Sequence, residues 1–407
     1  MLARQGSMRQ RKGRRAAASI WALVTLTTML VALAVAVNAA WLGTATQEMR
    51  TAADAAGLAA GDELVDDAWL QTGQPGVAAL LQASRERAVE YAALNRVLGT
   101  PQLLDISDPY DGDVRFGSTV AGDPSTFTLA DLSDPTALTL QDVNTTAVLA
   151  KRVRSRGTGI PVLFGGLLAQ GQLDMIVTSL TYLDRDVYGF RARTARPIPL
   201  VPLGILSSSW DNDIINRNGP DAFGIAPGGG VVNSPDGIPE LVLELQLQPM
   251  GVAASSTVAL LTIGTGDRDL QITGGVTESD LAATQGIFAL DATNTLTVPA
   301  TRLGPVDPST DYTNLVSSLQ TLASTGEPRI WNLMSSVDDL GGTATLNAFV
   351  VARVMEVVEP ANPTMDPLRI RVQPSLLVVP QALTDAARSG VAHLLPSPYL
   401  ARPRIIR

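Results

Sequence analysis

Oxygen-bearing side chains crowd into two short stretches. Asp105, Asp108, Asp111 and Asp113 stand in DISDPYDGD; Asp211, Asp213, Asn216 and Asn218 stand in WDNDIINRNGPD. Clusters of this kind can hold calcium, a hard cation that takes oxygen ligands. Neither stretch meets the EF-hand spacing, and Asp/Pro/Gly and Asn-Gly turns explain the same letters. No spacing nominates a carboxylate pair for glycoside hydrolysis. Gly228-Gly229-Gly230 and Gly264-Thr265-Gly266 are not followed by the Lys-Ser/Thr of a phosphate-binding loop. The chain has no cysteine and one histidine, His393. Disulfides, thiolate nucleophiles and cysteine-ligated zinc are therefore excluded. No catalytic, metal-binding or cofactor-binding residue is nominated, and a non-enzymatic role is expected.

Charge separates the chain into two parts. Arg4, Arg9, Arg11, Lys12, Arg14 and Arg15 precede the first acid, and all 39 acidic residues follow. The body is acidic, so nucleic acid is not expected as a partner. Between the parts, the 32 residues from Ala16 to Gln47 carry no charge. A helix of about 20 apolar residues crosses a bilayer, so 16–42 reads as a transmembrane helix. Trp21 and Trp41 stand where indole rings meet the two interfaces. The basic cluster orients the helix with its N-terminus in the cytoplasm. A cleaved secretory signal is the rival reading, because Ala34-Val35-Ala36 fits a small-x-small cleavage site.

Small residues recur every four positions: Ala32, Ala36 and Ala40 in the span, then Ala52, Ala56 and Ala60 beyond it. Such a face lets another helix approach closely. Alanine favours helix and no proline interrupts 43–70, so the membrane helix continues outward to about Leu70. Residues 77–98 read as a second, amphipathic helix. Together, 43–98 form an extracytoplasmic helical stalk.

The order of these parts resembles the N-terminal region of TadE/TadF/TadG-like proteins of the bacterial tight-adherence (Flp) pilus machinery. The carrying element is Ala52-Ala53-Asp54-Ala55-Ala56-Gly57-Leu58-Ala59-Ala60, placed just after an anchor. Ala18 stands where prepilins carry a processing-site Glu, and no Asp-x-Ser-x-Ser motif of a von Willebrand A domain is present. The resemblance is thus nearest to TadG-like proteins that keep their anchor and lack that domain. Shorter pieces of the body, such as GDVRFGS (112–118) and DGIPELVLELQL (236–247), extend it. It implies a pilus-assembly component with pilus-assembly partners.

Beyond Gly99, short Val/Ile/Leu-rich runs alternate with Gly/Pro/Asp/Asn breaks, as β structure does. Candidate strands are 113–116, 147–153, 173–180, 241–247, 257–263, 347–358 and 368–379. The last two form a hairpin near the sheet edge. Lys151-Arg152-Val153-Arg154-Ser155-Arg156 reads as a strand with a charged outer face or as a contact for lipid headgroups or a partner. Residues 219–240 read as a long exposed loop and a candidate domain seam. Residues 381–394 read as a helix, followed by a mobile basic tail.

The expected fold class is α+β. The order is a basic tail (1–15), a transmembrane helix (16–42), the stalk (43–98), a β-rich extracytoplasmic domain (99–380), and a C-terminal helix and tail (381–407). The expected role is a docking or assembly element in the inner membrane, with the bilayer and pilus proteins as partners and no small-molecule substrate. A membrane-anchored carboxylate hydrolase and a calcium-binding adhesin are the alternatives.

Overall fold

The computed structural model describes residues 5–168, 171–226, 229–245, 257–301, 310–338, 342–361, 366–384 and 397–406, with backbone alone for 5–18, 167–168, 301 and 310–311. One helix, α1, runs without a break from Gln5 to Glu63. A second, α2, spans Val77–Leu94. The rest is β-rich, so the protein is α+β. The chain divides into two compact units. Unit 1 holds Met1–Gly57, Glu86–Arg115 and Ala147–Leu180; unit 2 holds Leu58–Arg85, Phe116–Thr146 and Thr181–Arg407. No boundary between them falls in 219–240.

In unit 2, five strands close on themselves. Leu200–Leu206 pairs antiparallel with Val258–Leu261, which pairs with Leu296–Thr301, which pairs with Thr343–Val358. Thr343–Val358 pairs antiparallel with Arg329–Asp338, and Arg329–Asp338 returns to Leu200–Leu206 in parallel. The ring is a small barrel whose staves carry Leu200, Leu203, Ile205, Ile330 and Trp331, all fully buried. Its parallel seam is irregular between Leu200 and Gly204. There the buried Asn332 side chain donates to the carbonyls of Val201 and Leu203, at 3.1 and 3.0 Å. A side-chain amide thus supplies donors that the interrupted ladder lacks. At this seam a Cβ on Gly204 would stand 2.5 Å from the Met334 sulfur, so that side chain would have to shift.

The 347–358 and 368–379 hairpin exists, as Thr343–Val358 against Leu368–Pro374. It begins one strand in from the edge of the sheet. Leu241–Leu245 covers its outer strand, and Thr343–Val358 is a stave of the barrel.

Other expectations are corrected in unit 2. Residues 219–240 are not a free loop. Buried Glu240 accepts from the Ala222 and Phe223 amides and pairs with Arg371 at 3.1 Å. Gln373 reaches the carbonyls of Phe223 and Ile238 and the Asp236 carboxylate. The segment's polar groups therefore find partners more than 130 positions away. The basic tail is likewise ordered as the strand Leu400–Ile406. Arg404 pairs with buried Asp184 at 3.0 Å and lies over the Tyr182 ring. Of the expected C-terminal helix, Ala382–Thr384 is a strand against Val187–Arg191, and 385–394, with His393, falls outside the described residues.

In unit 2, Leu377–Val378 also pairs in parallel with Leu400–Ile406, and Gly117 and Ser118 pair antiparallel with Leu129 and Thr128. Met175–Asp184 is a further strand.

Candidate membrane anchor and its collar

Ser19–Glu63 is long and apolar enough to cross a membrane, with a mean hydropathy of 2.4 over its best window. Its apolar part stands bare. Ile20, Trp21, Leu26, Met29, Leu33 and Val35 are all exposed, an arrangement water penalises and lipid does not. Twenty residues separate Trp21 from Trp41. At about 1.5 Å per residue that is roughly 30 Å, the thickness of a hydrocarbon core.

Within unit 1, this helix wears a collar from Asn38 onward, made by residues of 160–168 and 171–180. Asn38, almost fully buried, accepts from the Phe164 amide at 3.4 Å. The Trp41 indole donates to the Pro161 carbonyl at 3.1 Å. Further along, the Thr46 hydroxyl meets the Met175 sulfur, and the Ser179 hydroxyl donates to Asp54 at 2.7 Å. Glu48 accepts from the Leu98 amide at 2.6 Å. Leu98 and Gly99 both have positive φ, as the two-residue turn between Arg96–Val97 and Thr100–Pro101 requires.

The basic run of 151–156 is spent on the chain itself. Asp113, with no side-chain exposure, pairs with Lys151 at 2.7 Å and with Arg156. The bond from Asp113 pushes the Arg156 guanidinium up from its ordinary value. Arg152 is buried, which pushes it down, and it grips Gln102 and the carbonyls of Thr100 and Pro101. Arg154 pairs with Asp174.

The acidic stretch 105–113 resolves into turns around this pair. The Ser107 hydroxyl and amide hold the Asp105 carboxyl below the usual range; the Asp111 and Tyr110 amides do the same for Asp108. In 211–218, Asn212 donates to Asp213, and Asn218 donates to Asn212. Among the described residues, no group of three or more His, Asp or Glu stands where it could hold a metal ion.

In unit 2, the end of α1 is pinned as firmly. Ser84 donates to the Ala60 carbonyl at 2.8 Å. A Cβ on Gly61 would come within 3.1 Å of Thr181. Past the helix, Asp67 pairs with Arg353 at 2.9 Å and accepts from the Ser375 hydroxyl and the Leu376 amide.

The small-residue face divides in two. Ala32, Ala36 and Ala40 are exposed. Ala52, Ala56 and Ala60 are 0 % exposed, covered by the chain's own residues. In the resembling element, Ala53 and Ala59 are buried as well, Asp54 and Ala55 are half-buried, and Leu58 is at the margin of exposure. Sequence reasoning missed the collar, although 157–173, uncharged between Arg156 and Asp174, was a signal for it. No family model, no curated protein and no solved structure matches the chain.

Proposed function

We propose that this chain is a non-enzymatic, single-pass component of a Flp/Tad-type pilus assembly or secretion machine. It is held in the inner membrane with its N-terminus in the cytoplasm and its β-rich body outside. One observation carries the reading: a bare apolar helix continues unbroken into an alanine-rich segment that the chain's own body encloses. A joint of this kind transmits force or position from the membrane to a folded body. It has no need of a catalytic centre.

The exposed Ala32, Ala36 and Ala40 form the face offered to a neighbouring helix in lipid. Ala52, Ala56 and Ala60 are instead spent on packing within the chain itself. The test is co-purification of the detergent-solubilised chain with pilus-machinery proteins. Recovery of the chain alone, with pilus assembly unchanged in a deletion strain, overturns the proposal.

A further inference from the structure

We infer that Leu163 and Phe164, the tip of the turn that follows Ile160–Pro161, dip into the lipid interface beside the anchor, giving the chain a second contact with the bilayer. The inference rests on the membrane reading above and adds to it a lipid-facing loop.

Depth is the first argument. Phe164 bonds through its amide to Asn38, which lies three residues before Trp41 on the membrane side. At about 1.5 Å per residue, Asn38 is some 4.5 Å deeper than the interfacial indole. The tip is therefore held at or below the level of Trp41, next to the bare apolar surface of α1.

Exposure is the second. Leu163 is 50 % and Phe164 40 % exposed, on a stretch whose residues 157–173 include no charge. Of the charged residues bounding it, Arg156 pairs with Asp113, and Asp174 pairs with Arg154. The apolar tip is thus presented with no ionic group to desolvate.

Backbone satisfaction is the third, because a loop in lipid has no water to bond its amides. The Val162 amide donates to Gly171, the Phe164 amide to Asn38 and the Gly165 amide to Val162. Position 161 is a proline with no N–H, and its carbonyl accepts from Trp41.

The absence of cysteine makes the test direct. The full-length Leu163→Cys chain, labelled with an environment-sensitive fluorophore, is reconstituted into phosphatidylcholine vesicles with brominated acyl chains. A label at Val120→Cys, an exposed position in 116–146, is the control. The expected result is a blue-shifted emission at 163, quenched several-fold more by bromine near the headgroup than at 120. A chain that floats with the vesicles but shows no quenching at 163 overturns the loop contact alone. A blue shift without bromine quenching means that protein covers the tip, which also overturns it. A chain that does not float with vesicles overturns the membrane reading and this inference together.

Discussion

The Ser179 hydroxyl donates a 2.7 Å hydrogen bond to the carboxylate of Asp54, the one charge within the alanine-rich element of α1. Eight residues earlier on the helix, Thr46 meets Met175, four residues earlier on the strand. Eight helical residues rise about 12 Å and four strand residues about 13 Å, so the two elements advance in step. Helix and strand stay in register over this distance, with a polar contact at each end. The lone acid in an otherwise apolar element is thereby explained as the partner of a strand.

That pairing is measurable. Asp54→Ala and Ser179→Ala should each lower the thermal midpoint. A double-mutant cycle should return a coupling of about 1 kcal/mol, as for a hydrogen bond to a charged group at a partly exposed site. Additive single effects would mean that helix and strand are not coupled through this bond.

The two halves of the small-residue face predict opposite behaviour. Ala56→Leu adds three carbons where no space is left, so it should cost about 1–3 kcal/mol of stability. Ala36→Leu lies on the exposed half and should leave the thermal midpoint unchanged while weakening co-purification of partners. Loss of stability in Ala36→Leu, or none in Ala56→Leu, would reverse this division.

Asp113 holds two cations from a fully buried position, so its removal should be more damaging than loss of an exposed pair. Asp113→Asn keeps the shape and takes from Lys151 and Arg156 their nearest counter-charge, with Asp105 left 3.6 Å from Arg156. The expected cost is about 3–5 kcal/mol in chemical denaturation. Arg154→Ala, which breaks the exposed pair with Asp174, should cost far less. Equal losses would mean that burial does not set the weight of these pairs.

What was legible in the sequence was what is local. The apolar run and the alanine propensity of 16–63 dictate a helix without help from the body. The strands at 241, 258 and 368 announced themselves by β-rich runs between turns. The barrel was hidden because its closing step joins Leu200–Leu206 to Arg329–Asp338, in parallel and far apart in sequence. Arg404 read as part of a loose basic tail for the same reason: its partner Asp184 is 220 positions away. Glu240 and Asp236 read as loop acids because Arg371 and Gln373 lie on a distant strand. The alanine face was legible as a packing surface. What it packs against was not, since own body and foreign helix ask for the same small side chains.

Asp236 gives a pH signature. Burial, assisted by the nearby Asp221 and Asp67 charges, pushes its carboxyl up to about 6, against bonds from the Ile238 amide and Gln373 that favour the charged form. An unfolded aspartate titrates near 4. Between about pH 4 and pH 6 the folded chain therefore binds more protons at this site than the unfolded chain does. The slope of unfolding free energy follows protons bound unfolded minus folded, so this site lowers stability as pH rises through that window. Asp236→Asn keeps an acceptor oxygen for the Ile238 amide and removes the charge. The variant should gain on the parent in thermal midpoint between pH 4 and pH 7, with the difference growing through the window. A difference that stays constant across it would mean that Asp236 titrates alike in both states, and that neither burial nor its acidic neighbours govern it.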